Sequence, residues 1–127
     1  MKDKLETIFT RREEFLQLLI KRFPDSFPNQ WPVDITTKES QKFIRQIALN
    51  GVEEMFEALQ HLKNWKPHRQ TDLSKSPVNK EEFLEEVVDA FNYFFAMLIV
   101  TGFDHEDLHE AFLKKHEIIK DRLQNGY

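Results

Sequence analysis

The chain has 127 residues, 40% of them hydrophobic, a formal net charge of −4 and no cysteine. That length supports one domain with a real core rather than two. The missing cysteine excludes disulfides, thiolate metal ligands and cysteine nucleophiles, and the acidic balance excludes the broad basic face that draws nucleic acid or an anionic membrane.

Only three glycines are present, and apolar residues recur at three- and four-residue spacing, so the expected class is all-α: an antiparallel bundle of about four main helices. A first helix is expected over Asp3 to Arg22. It stops in the proline-rich stretch from Phe23 to Pro32, which reads as a packed connector because it carries Phe27 and Trp31. The second helix is expected to open at Thr36, which with Glu39 makes a capping box, and to run to Lys66, where Pro67 ends it. A polar linker from His68 to Val78 leads to Asn79, an N-cap with Glu82 three residues on. The third helix then runs to Thr101, before Gly102, and Asp104 caps a fourth that reaches about Gln124. The longest apolar run, Tyr93 to Val100, falls far short of the roughly 20 residues a membrane span needs. The opening MKDKLETIF mixes acids and bases and lacks the apolar core of a secretory signal, so a cytoplasmic protein is expected.

The chemistry lies on helices two and three. Glu54 and Glu57 are three residues apart and share a helix face; Glu86 and Asp89 repeat the spacing. Helices joined by a modest linker pack antiparallel, which sets the two acid pairs beside each other. From Glu54 and Glu57 the same face continues through Asn50, Ile47 and Phe43. From Glu86 and Asp89 it continues through Tyr93, Met97 and Val100. The pattern describes a cavity acidic at one end and apolar at the other. Either acid pair alone is an ordinary solvated face. Two pairs placed to meet repel unless cations lie between them, and oxygen-only ligands suit Mg²⁺ or Mn²⁺ better than Zn²⁺.

These residues carry a resemblance. Glu54-Met-Phe-Glu57 followed by Glu86-Val-Val-Asp89 resembles the ExxE…ExxD signature of the all-α nucleoside triphosphate pyrophosphatases, the MazG-like and dimeric dUTPase superfamily. The C-terminal stretch from Lys115 through Arg122 to Gly126-Tyr127 is similar to the dimeric dUTPase ending, and Trp65-Lys66 after helix two is similar in character. The resemblance covers about Thr37 to Tyr127. It implies one domain over residues 1–127 that hydrolyses a nucleotide, with dUTP a candidate, to the monophosphate and pyrophosphate with Mg²⁺, and that assembles as a homodimer or homotetramer. Within that reading Glu54, Glu57, Glu86 and Asp89 hold the metal, and Glu54 also orients the attacking water. Lys66, Lys115 and Arg122 meet phosphates, while Asn50 and Tyr93 meet the rest of the substrate. Glu53 and Glu82 are outer acids. Two departures bear on the base rather than on the reaction: Ile119 stands where the dimeric dUTPase ending has Asn, and helix one lacks a clear Gln…Leu-Asn uracil motif, Gln17-Leu18-Leu19 being only an echo.

Two rival readings use the same chain. His105-Glu106-Asp107-Leu108-His109 matches HExxH, in which a helix offers two histidines to Zn²⁺ and a glutamate to a water. It opens directly after the Asp104 cap and has no evident third ligand. The other rival is a non-enzymatic helical module whose acidic stripes bind a basic partner. His61, one turn past Glu57, is placed to assist the acidic site or simply to lie on the surface. Lys63, Lys66, Arg69, Lys75 and Lys80 gather around the linker beside the acids.

Overall fold

The computed structural model describes residues 3–28, 30–63, 68 and 78–126. The fold is all-α, with helices α1 (Lys4–Arg22), α2 (Lys38–Leu59), α3 (Lys80–Val100) and α4 (His105–Asn125) and no strand among the described residues. The chain forms two compact units: residues 1–33 with 98–127, and residues 34–97. No helix among the described residues is long and apolar enough to cross a membrane.

The first unit contains α1, the connector, the last turn of α3, and α4. Phe9 and Leu16, seven residues apart on α1, are buried, as are Ile99 and Val100. In the connector Phe27 and Trp31 are half-buried while Phe23 is exposed, and just past it the Val33 N–H donates to the Val100 carbonyl at 2.8 Å. α3 closes in a paired arrangement. The Gly102 N–H reaches the Ile99 carbonyl and the Phe103 N–H reaches that of Leu98, with Gly102 at φ +93°. Asp104 then starts α4 through a complete capping box with Asp107, its side chain accepting from the Asp107 N–H at 2.9 Å while the Asp104 N–H donates back at 3.0 Å.

The second unit is the pair α2 and α3. Asn79 caps α3 by accepting from the N–H groups of Glu81 and Glu82, at 3.1 Å each. Gly51, Ala58 and Ala90 are buried along the pair. A methyl at Gly51 would stand 3.1 Å from the Phe94 ring and 3.2 Å from the Ala90 carbonyl, so the backbones approach closely there. Gly51 meets residues 90 and 94, whereas His61 meets Glu86, so α2 and α3 run antiparallel.

Both ends of α2 differ from expectation. The cap is Thr37, whose hydroxyl accepts from the Ser40 N–H at 3.2 Å. Thr36 is drawn instead into a turn with Asp34, whose Oδ1 accepts from the Thr36 N–H at 3.0 Å and from its hydroxyl at 2.6 Å. At the other end the helix stops at Leu59 rather than reaching Lys66. The N–H groups of Gln60, His61 and Leu62 bond three residues back, to Glu57, Ala58 and Leu59, tightening the chain into 3₁₀-type turns that no longer propagate an α-helix.

Two outcomes follow. Thr37→Ala lowers stability to urea by about 1 kcal/mol and by more than Thr36→Ala, because only Thr37 satisfies a helix donor. Gly51→Leu destabilises by about 1–3 kcal/mol despite leucine's better helix propensity, because the added side chain forces α2 from α3. Urea midpoints of the three variants check both.

Candidate functional site

The Gly51 contact sets what comes next along the seam. One turn on, Glu54 and Glu57 leave α2 opposite Glu86 and Asp89 on α3, and the four carboxylates are close enough to interact. The Glu54 carboxyl is held above its ordinary range, first by partial desolvation, then by the charges of Glu57 and Asp89, by a hydrogen bond with Glu57, and by the charge of Glu86. Two acid pairs read from helical spacing therefore meet across one seam. Glu54 and Glu86 are half-buried, while Glu57 and Asp89 are exposed, so the group is open on one side.

An open cleft of about 570 Å³ adjoins the acids where α2 ends and α3 begins. Glu57, Glu82 and Glu86 line it together with His61, Lys63 and Asn79. His61 is bound into this wall, its Nε2 3.1 Å from Glu86 Oε2. Glu82, expected as an outer acid, lies on the cleft; Glu53 is exposed on α2.

Asn50 and Tyr93 belong to the same antiparallel pair, and both are half-buried. Asn50 does not stand free: its Oδ1 accepts from Gln46 Nε2 at 2.9 Å. Of the apolar continuation, Ile47 is buried and Phe43 and Met97 are half-buried. Lys115 and Arg122 are exposed on α4, in the first unit. Seven residues apart, they share one face of that helix. Lys66, Trp65, Arg69, Lys75 and Tyr127 lie outside the described residues; Lys63 and Lys80 are exposed.

The HExxH segment occupies the start of α4. His105 Nε2 lies 3.9 Å from Glu6 Oε2, and its ring packs edge-on against Phe9; His109 is exposed. Among the described residues, no three His, Asp or Glu side chains stand arranged to hold one ion, at this segment or at the acid seam.

No protein-family model, curated protein or solved structure matches the chain.

The seam makes stability depend on pH with a definite sign. Glu54 has a folded-state pKa above its ordinary value of 4.5, so it gains a proton on folding; its favourable contribution is full below that value and is lost as pH rises through the folded one. The stability of the wild type relative to Glu54→Gln should therefore fall as pH is raised from about 4.5 toward neutrality. Urea titrations of both proteins over that range measure the difference, and a difference independent of pH would contradict the assigned charge neighbourhood.

Proposed function

We propose that the α2–α3 seam binds Mg²⁺ and hydrolyses a nucleoside triphosphate, dUTP or a related deoxynucleotide, to the monophosphate and pyrophosphate. The observation that carries this is the approach of Glu57, Glu86 and Asp89 to Glu54 across two antiparallel helices, sufficient to raise the Glu54 carboxyl. The resemblance of those four residues to ExxE…ExxD adds the reaction type. The donor set fits the ion, because carboxylate oxygens without sulfur match a hard dication. Bound there, Mg²⁺ supplies charge neutralisation for the phosphates and a more acidic water.

The chain's own residues do the rest. Glu57, Glu86 and Asp89 serve as ligands, and Glu54, whose carboxyl is raised by desolvation and by its neighbours' charges, orients the attacking water while remaining one of the ligands. Hydrolysis breaks the bond between the α- and β-phosphates. The cleft at the end of α2 offers room for phosphate beside Lys63. Asn50 and Tyr93, on the same helix pair, are the proposed nucleoside contacts. Phosphate contacts by Lys115 and Arg122 rest on the resemblance alone, and that by Lys66 on its place in the basic group around the linker. Assembly as a dimer or tetramer rests on the resemblance too, and α4 supplies a suitable face for it: it buries no residue, and Phe112 and Leu123 are 63% and 74% exposed.

Glu57→Gln and Asp89→Asn should each abolish Mg²⁺-dependent turnover while leaving the protein folded and, without metal, equally or more stable, since each removes one repelling charge. Near-wild-type activity in either variant contradicts the site. His105→Ala and His109→Ala should leave that activity nearly intact, and zinc retained stoichiometrically by the wild type but lost from both variants would favour the HExxH reading.

Truncation after Lys120 removes Arg122 and Gly126 but no proposed ligand. It should weaken a non-hydrolysable dUTP analogue by at least about tenfold, the scale of one lost charged hydrogen bond, while Mg²⁺ binding persists. Equal affinities measured by calorimetry would leave the C-terminal resemblance without a binding role.

A further inference from the structure

His61 lies past the end of α2, in the turn where its backbone N–H donates to the carbonyl of buried Ala58 at 3.2 Å. From there the side chain crosses to α3. Nε2 comes within 3.1 Å of Glu86 Oε2, and the ring stands edge-on to Phe83 with centroids 6.5 Å apart and planes at 73°. Phe83 and Glu86 are three residues apart, so together they offer the ring one turn of a single α3 face. The imidazole is thus restrained by its own tight turn, by an aromatic edge and by a carboxylate. The contact is partly sheltered, with side-chain exposures of 22% for His61 and 35% for Glu86.

Glu86 is tied differently from its neighbours. Glu54 and Glu57 lie one turn apart on α2 and act on each other through charge. The partner of Glu86 comes from outside the four acids, and it engages Oε2. We propose that His61 is the positioning residue of Glu86, fixing that carboxylate on the α3 side of the seam. This rests on the seam being a metal centre. Hydrogen-bond partners of ligating carboxylates typically change metal affinity by about 10- to 100-fold when removed, because the ligand must otherwise be ordered at the moment of binding.

The test is Mn²⁺ binding by the full-length protein without nucleotide, the free ion being followed by electron paramagnetic resonance. Wild type, His61→Ala and His61→Gln are compared, glutamine carrying an amide N–H long enough to reach Glu86. The expected result is at least about tenfold weaker Mn²⁺ binding in His61→Ala, with most of the loss recovered in His61→Gln. Equal affinity in wild type and His61→Ala overturns the assignment and leaves the metal centre standing. Equally weak binding in both variants also overturns it, because ring packing on Phe83 rather than the hydrogen bond would then be responsible. A wild type that binds no Mn²⁺ overturns the metal centre and the assignment together.

Discussion

The close approach of α2 and α3 at Gly51 governs the rest of the candidate site. With no side chain on Gly51, the Phe94 ring and the Ala90 carbonyl come within ordinary contact of the α2 backbone, and the helices are held together one turn before the acids begin. Glu54, Glu57, Glu86 and Asp89 then have no freedom to relieve their repulsion by separating the helices. The Glu54 carboxyl is raised by desolvation and by the charges of Glu57, Asp89 and Glu86, and Glu86 takes up its contact with His61. A seam that concentrates negative charge under packing restraint is the physical basis for the proposed cation binding.

Much of this was legible in the residues. The period of three and four identified the helices, and Asn79, Asp104 and Gly102 announced their ends because each performs its role through its own local chemistry. The pairing of the acids followed from helical spacing and antiparallel packing alone. Thr36 was less decipherable. Both it and Thr37 have the hydroxyl a cap requires, and the choice turned on Asp34, which captures Thr36 two residues on. A helical pattern continued past Leu59 toward Pro67, yet the helix ended where the backbone tightened and His61 turned to α3, a tertiary contact that leaves no mark on local periodicity.

Gly51 carried a signal that spacing analysis passed over. An isolated glycine within a strong helical pattern marks a close approach, and here it lies one turn before the first acid. His61 offered a weaker one: four residues after Glu57, it extends the acidic face by a turn, but nothing in the chain says that it bonds to Glu86 rather than to water. Lys115 and Arg122 mark the limit of local reasoning. Their shared face on α4 follows from a spacing of seven, whereas a role at a phosphate follows only from the resemblance of the chain's ending to that of the dimeric dUTPases.

The proposed reaction of the α2–α3 seam is metal-dependent cleavage of the bond between the α- and β-phosphates of a nucleoside triphosphate. Phosphorus NMR of the wild-type protein incubated with dUTP and the canonical triphosphates, with Mg²⁺ and with chelator, measures this directly. Monophosphate and pyrophosphate appearing one for one, only with Mg²⁺ present, is the predicted result. Orthophosphate as the first product, an unchanged yield in chelator, or no turnover of any triphosphate would contradict it.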